Sequence, residues 1–89
     1  MKLVPGAMVE VQGPAFYGIV IVHDVRDTNK DLFVPHGTHA LVIGVQVLNT
    51  WEPMHTTLVT CLWSRGFFTI ESPRVRVTLN PVNGAGDEW

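Results

Sequence analysis

The sequence predicts an all-β protein: a small, five-stranded, strongly bent antiparallel barrel. Turn residues interrupt the apolar runs at short intervals, and β-branched and aromatic residues dominate those runs. No segment of about ten to twelve residues carries the apolar stripe of an amphipathic helix. Three runs, at residues 19–22, 41–47 and 58–63, are apolar on both faces, and a chain of 89 residues is too small to bury both faces alone. We therefore expect another copy of the chain to cover the second face.

Proline and glycine mark the boundaries of the expected strands. Pro5-Gly6 precedes the first strand, Gly13-Pro14 separates it from the second, and a turn at residues 35–38 leads into the third. Ser64-Arg65-Gly66 forms a tight turn before the fifth strand, which is expected to bend at Pro73. The five expected strands cover residues 7–12, 17–26, 39–48, 56–63 and 67–79.

The segments between the strands are expected to be connections. Residues 27–30 are polar, residues 49–55 join the third strand to the fourth, and the only helical segment that the sequence accommodates is a short turn near residues 31–33. Residues 80–89 are rich in Asn, Gly and acidic side chains, which is typical of a loose tail. The expected organisation is one barrel domain at residues 1–79 followed by a C-terminal tail at residues 80–89.

Alternation of apolar and polar residues predicts which faces point to the core. Val9 and Val11 share one face of the first strand, and Val75, Val77 and Leu79 share one face of the last. The strongest inward row is expected in the third strand, at Leu41, Ile43, Val45 and Val47. The second and fourth strands leave two registers open, with either Ile19 and Ile21 or their neighbours, and either Leu58 and Leu62 or Val59 and Cys61, in the core.

The composition favours association and excludes several function classes. The chain is 46% hydrophobic and only 16% charged, and this surplus of apolar residues indicates an interface. Its formal net charge of −2 gives no overall attraction to nucleic acid or to an anionic membrane. Cys61 is the single cysteine, which fits a reducing compartment. With no long apolar segment after Lys2, we expect a cytoplasmic protein without membrane contact.

No motif in the sequence predicts catalysis or a cofactor. Nucleophile elbows, phosphate loops, paired carboxylates and metal-binding helix motifs are missing from the sequence. His36 and His39 lie three residues apart, but His23 and His55 are distant in sequence, and such scattered histidines are ordinary surface or strand residues. We therefore expect neither an enzyme nor a metal site.

Two segments resemble the motifs of Sm-like proteins. Residues 61–70, which read Cys-Leu-Trp-Ser-Arg-Gly-Phe-Phe-Thr-Ile, look like the second Sm motif, in which an Arg-Gly turn joins the fourth and fifth strands. Gly18 and Asp24 match two positions of the first Sm motif, whereas Thr28 stands where that motif has a base-contacting asparagine. Over roughly residues 7–79 the chain thus resembles the Sm-like and Src-homology-3-like barrels. Residues 40–44 and 62–66 also resemble small barrel proteins of tailed bacteriophages.

The resemblance implies a ring of identical subunits with a structural or assembly role. In Sm-like rings the fourth strand of one subunit pairs with the fifth strand of the next, in a head-to-tail contact. The residues expected at that interface are Thr57, Val59, Cys61, Trp63 and Phe67.

The alternative function is binding of single-stranded RNA or DNA. Arg26 ends the second expected strand and Lys30 lies in the loop after it, while Arg65 and Gly66 precede the fifth strand. The resemblance places both loops on one rim of a ring. The aromatic candidates for base stacking are Phe33, Tyr17 and His36. Because Asp24, Asp27 and Asp31 lie among the same basic residues, an ordinary mixed-charge loop also explains the pattern.

Overall fold

The computed structural model describes residues 2–27, 29–51 and 54–80. Over these residues the fold is all-β, as predicted, with seven antiparallel strands and one 3-10 turn at Ser72–Arg74. The strands are β1 (Met8–Val11), β2 (Ile19–His23), β3 (Asp31–Pro35), β4 (His39–Trp51), β5 (Met54–Trp63), β6 (Gly66–Glu71) and β7 (Val75–Leu79).

The seven strands form one sheet that curls into a half-barrel. Their order is β3-β2-β6-β5-β4-β1-β7, so β3 and β7 are the two edges of the sheet. Five residue pairs join β2 to β3, whereas a single pair, His23 with Thr69, joins β2 to β6. The β2–β3 hairpin is therefore attached to the other five strands by very little ladder.

The concave face of the sheet holds the core. Val9 and Val11 point inward, as predicted, and are fully buried. The open registers are resolved in favour of Val59 and Cys61 in β5, and of the neighbours of Ile19 and Ile21 in β2. The buried apolar residues are Ala7, Val9, Val11, Val20, Val22, Val34, Ala40, Val42, Val59, Cys61, Phe68 and Ile70.

The predicted inward row of β4 is confirmed at Val45 and wrong at Leu41, Ile43 and Val47. Val42 is buried, whereas Ile43 is 43% exposed and Val47 is 61% exposed. Ile43 is exposed because of a β-bulge: Val42 pairs with Cys61 and Gly44 pairs with Thr60, so Ile43 is an extra residue without a partner. Beyond the bulge the alternation is shifted, and Val45 packs against the core from the position the sequence predicted.

The number of strands also differs from the five predicted. Residues 31–33, expected as a connection or a helical turn, belong to β3, where Val34 is buried and pairs with Val20. The expected strand at residues 67–79 is split by the 3-10 turn that contains Pro73. The expected connection at residues 49–55 is mostly strand, since β4 runs to Trp51 and β5 begins at Met54.

Asn80 is the last residue that the structure describes. Its amide Nδ2 donates to the main-chain oxygen of Lys2 at 2.8 Å, and its Oδ1 accepts from the Lys2 main-chain N–H at 3.3 Å. The rest of the expected tail, residues 81–89, lies outside the described residues.

Candidate interaction surface

A row of apolar side chains crosses five neighbouring strands on the outer face of the sheet. Leu79 of β7 pairs with Met8 of β1, Met8 with Leu41 of β4, Leu41 with Leu62 of β5, and Leu62 with Phe67 of β6. We call these five residues the apolar belt. Four strand spacings of about 4.8 Å give the belt a length of about 19 Å.

The burial of adjacent residues shows that the belt lies outside. Residues next to the belt in sequence, including Val9, Val42 and Phe68, point into the core and are buried. Leu79 joins the outer face because the β1–β7 register shifts between Met8 and Val9. The two ends of the belt are its most exposed members, with Phe67 at 52% and Leu79 at 56%.

A polar row runs beside the belt. Glu10 pairs across the sheet with Arg76 on one side and with His39 on the other, and the Arg76 guanidinium donates to the Glu10 carboxylate. That hydrogen bond, with the nearby charges of Arg76, His39 and His36, lowers the pKa of Glu10. An apolar strip with a polar border is the usual anatomy of a protein interface.

The β2–β3 hairpin carries a second exposed apolar surface. Ile21 and Phe33 stand directly opposite each other, both with exposed side chains, and Phe16 is exposed beside them. We call Phe16, Ile21 and Phe33 the hairpin face. The loop before β2 adds Tyr17, which is fully exposed.

Tyr17 occupies a strained position. Phe16 and Ile19 exchange both main-chain hydrogen bonds around the two-residue turn Tyr17-Gly18, whose φ angles are 52° and 79°. Two positive φ values define a type I′ turn, for which Asn-Gly is preferred and a bulky aromatic residue is unusual. A solvent-exposed tyrosine held there contributes nothing to the core of this chain.

A groove of about 400 Å³ separates the hairpin from the end of β6. Its lining residues are Pro14, Phe16, Ile21, His23, Glu71 and Arg74. Arg74 spans the groove, since its Nη2 donates to the main-chain oxygen of Ile21 at 2.6 Å and its Nη1 donates to Oε1 of Glu71 at 2.9 Å. Oε2 of Glu71 lies 2.9 Å from Nε2 of His23. Arg74, Glu71 and His23 thus connect β2 to the end of β6, where main-chain pairing is limited to one residue pair.

The pKa of Glu71 reflects this arrangement. Partial burial raises it, but hydrogen bonds from His23 and Arg74 outweigh the burial, so the pKa is lowered overall. The carboxylate is therefore the ionised centre that holds the hairpin to the rest of the sheet.

Several predicted interface residues are placed elsewhere by the fold. Val59 and Cys61 are fully buried in the core, so their side chains cannot contact a neighbouring subunit, and the prediction is corrected at these two positions. Trp63 packs partly against the core, with its ring centroid 6.1 Å from that of Phe68, and Thr57 is half-buried. Phe67 is exposed and belongs to the apolar belt.

The strand edge expected at this interface is also occupied. Over residues 58–62 β5 pairs with β4 on one side and β6 on the other. The free edges of the sheet in the described part of the chain lie at β3 and β7 instead.

The predicted basic residues lie in two turns at one end of the sheet. Arg26 and Lys30 follow β2, Arg65 and Gly66 join β5 to β6, and the antiparallel pair His23–Thr69 brings these turns to the same end. The Arg65 guanidinium lies 5.9 Å from the centre of the Trp63 ring, a cation–π contact. Gly66 has a φ of 121°, which side-chain-bearing residues avoid.

Two features argue against the predicted nucleic-acid surface: acidic residues lie among the basic ones, and the predicted stacking residues lie far from them. Asp24 accepts from the main-chain N–H of Arg26 at 2.7 Å, so a carboxylate sits within the same turn. The stacking candidates Tyr17 and His36 lie at the opposite end of the hairpin from Arg26, and Phe33 lies in the middle of β3. The fold therefore does not bring the predicted aromatic and basic residues together.

No family model, curated protein or solved structure matches this chain. Across residues 2–27, 29–51 and 54–80, no three His, Cys, Asp or Glu side chains are grouped so that they could hold a metal ion. The same residues contain no helix of sufficient length and apolarity to span a membrane.

The two-faced strands are recognisable in the sequence, but the apolar belt is not. Each belt residue is visible in the sequence, yet the belt exists only through four strand registers that the sequence does not specify. The hairpin face was missed because residues 31–33 were expected to lie outside the sheet, although the alternation of Leu32, Phe33 and Val34 is the signal of a half-exposed strand.

Proposed function

We propose that this chain is a non-enzymatic, self-assembling barrel protein with a structural or assembly role. The observation that carries the proposal is the apolar belt. Five aligned apolar side chains on the outer face of a sheet are unfavourable in water, and burying them in an interface stabilises an assembly by about 25 cal/mol for each Å² of apolar surface covered. On the surface of a domain of this size, a long apolar strip without charged residues marks an interaction site.

A ring of the Sm-like or Src-homology-3-like type is the assembly that we propose, in the cytoplasm and of phage type. The strands β6-β5-β4-β1-β7 are contiguous in the sheet, which supports the interpretation as a five-stranded barrel with the β2–β3 hairpin added at one side.

The mass of the protein in solution tests the proposal. Light scattering after size exclusion should give a multiple of the 9.9 kDa chain for the wild type at micromolar concentrations. Phe67→Glu should reduce the mass, because it places a charge at the exposed end of the apolar belt. Val47→Glu is the matched control, since Val47 is at least as exposed as Phe67 but lies outside the belt, and it should assemble normally. A wild-type protein that stays monomeric at about 100 μM contradicts the proposal, because this concentration is well above the dissociation constants of ordinary protein complexes.

Binding of single-stranded RNA or DNA is the second candidate function. It is favoured by one observation, the meeting of the β2–β3 and β5–β6 turns, which puts Arg26, Lys30 and Arg65 at the same end as the exposed ring of Phe67. Assembly would repeat this small cluster around a ring.

Fluorescence anisotropy with labelled oligo-U, oligo-A and a mixed DNA strand tests this candidate. Arg65→Ala should weaken binding and reduce its salt dependence, whereas Arg76→Ala, at the opposite edge of the sheet, should not. No binding at low salt by an assembled wild-type protein leaves the structural role alone.

A further inference from the structure

We infer that the contact between copies is head-to-tail: the hairpin face of one copy lies on the apolar belt of the next. This inference rests on the proposed self-assembly and names the two surfaces that meet. The occupant of the apolar belt is thus a second copy of this chain, presented through Phe16, Ile21 and Phe33.

The distribution of exposed apolar residues carries the inference. Nine large hydrophobic side chains in the described residues are exposed, and five of them lie between residues 16 and 33. Phe67 and Leu79 mark the two ends of the apolar belt. A contact between two belts would leave the hairpin residues in water, whereas a belt-to-hairpin contact covers both surfaces with a single interface.

The dimensions of the two surfaces agree. The apolar belt is about 19 Å long, and a five-residue strand of the hairpin is about 17 Å long. The belt runs across the strands of its sheet, so a hairpin laid along it has its own strands nearly perpendicular to them. Orthogonal packing of this kind is one of the two common ways in which sheets stack face to face.

The charges around the two surfaces are complementary. The turn and first residue of the hairpin hold three carboxylates, Asp24, Asp27 and Asp31, against two cations, Arg26 and Lys30. Beside the apolar belt stand Arg76 at one end and Arg65 at the other, with Glu10 as the opposing acid. A weakly acidic hairpin therefore meets a weakly basic border, while two belts packed together would oppose borders of the same sign.

A head-to-tail contact has a consequence that mixing can reveal. A chain whose belt is damaged still presents an intact hairpin face, and a chain whose hairpin face is damaged still presents an intact belt. Mixed together, the two form one productive contact and stop there, because the remaining pair of surfaces is damaged on both sides.

The experiment uses Phe67→Glu as the belt variant and Phe33→Glu as the hairpin variant, with Val47→Glu as the exposed control. Circular dichroism and melting confirm that each is folded, and Phe67→Ser with Phe33→Ser form a second, milder pair. Light scattering and native mass spectrometry are recorded for each protein alone and for equimolar mixtures. We expect each variant alone to be monomeric and the mixture to give a heterodimer of twice the 9.9 kDa chain mass.

Two results would contradict the head-to-tail contact, and a third would contradict self-assembly itself. If Phe33→Glu assembles like the wild type, the hairpin face is not the partner of the belt and the head-to-tail inference fails, while self-assembly stands. If both variants are monomeric and their mixture stays monomeric, head-to-tail pairing also fails. A monomeric wild type overturns the proposed function itself.

Discussion

The side chain of Arg74 makes the hydrogen bond to the Ile21 main chain that a neighbouring strand would otherwise make. Its Nη2 donates to the Ile21 main-chain oxygen at 2.6 Å, at a point where β2 has no ladder partner on that side. The same guanidinium is held by Glu71, which is also hydrogen-bonded to His23. A side chain from the 3-10 turn therefore fixes the hairpin to the five-stranded part of the sheet.

Replacing Arg74 should loosen the hairpin. We expect Arg74→Ala to lower the free energy of unfolding by about 1–3 kcal/mol, because it leaves the Ile21 carbonyl and one oxygen of Glu71 without their donors. Urea denaturation measures the loss, and hydrogen exchange should show faster exchange in β2 and β3 than in β5. Arg76→Ala is the control: its ion pair with Glu10 is exposed, so the loss of stability should be much smaller than for Arg74→Ala. Equal losses for the two variants would show that Arg74 does not hold the hairpin.

Acid should destabilise the protein through Glu71. Because its pKa is lowered in the folded state, its contribution is present above the pKa of an unfolded-chain glutamate, about 4.3, and is lost as the pH falls through the lower folded value. The melting temperature of the wild type should therefore fall between about pH 5 and pH 3. Glu71→Gln should be less stable at pH 7 and should lose less on acidification.

Glu10 adds an acid dependence of the same sign, since its pKa is also lowered. Glu10→Gln separates the two contributions, and it should retain the part of the pH dependence that comes from Glu71. A Glu71→Gln profile parallel to the wild type from pH 7 to pH 3 contradicts the assignment.

Two isoleucines, one buried and one exposed, test which residues form the core. Ile70 is fully buried, so Ile70→Ala should cost about 2–5 kcal/mol through lost burial and a residual cavity. Ile43 protrudes from the β-bulge, and Ile43→Ala should cost less than about 1 kcal/mol in the isolated chain. Chemical denaturation of both variants measures the difference. A larger loss at Ile43 would mean that β4 follows the regular alternation after all.

The Cys61 thiol should be unreactive in the folded protein. Burial raises its pKa to about 12, so almost no thiolate is present at pH 8. Ellman's reagent should therefore react at the rate of unfolding, and denatured protein should react at once. Rapid modification of the native protein would place Cys61 at the surface.

Changing the strained turn should separate stability from assembly. Tyr17→Asn gives the Asn-Gly pair that a type I′ turn prefers, and we expect a gain of about 0.5–1 kcal/mol in the free energy of unfolding. Tyr17→Phe is the matched control, because it keeps both the strain and the apolar ring. If Tyr17 contacts a second copy, the asparagine variant should dissociate at higher protein concentration than Tyr17→Phe. A loss of stability in Tyr17→Asn would contradict the turn assignment.

The fold could be predicted where local alternation agrees with the final ladder. Val9 and Val11 alternate cleanly and point inward, because a four-residue strand with one wet face has only one sensible orientation. Ile43 could not be assigned from the alternation of apolar residues, because the position of a bulge depends on the partner strand. The signal in the sequence that points to a bulge is Gly44, an isolated glycine within a strand pattern. The same limit applies to the candidate site. Phe67 was predicted at an interface, but its alignment with Leu62 and Leu41 is a property of three paired strands.

The chain leaves and re-enters the five-stranded part of the sheet at nearly the same place. The main-chain N–H of Val11 donates to Thr38 at 2.9 Å, and that of Gly37 donates to Val11 at 2.7 Å, so the two ends of residues 12–36 are neighbours. Such an excursion can change its length or its outer side chains without disturbing the pairing of the strands on either side of it. The residues of this segment that must be kept are Val20, Val22 and Val34, which fill the core, Leu32, which packs against it, and His23, which is hydrogen-bonded to Glu71. If the chain assembles as proposed, the choice of partner can therefore be changed in this insert, by evolution or by design, while the frame that carries the apolar belt stays the same.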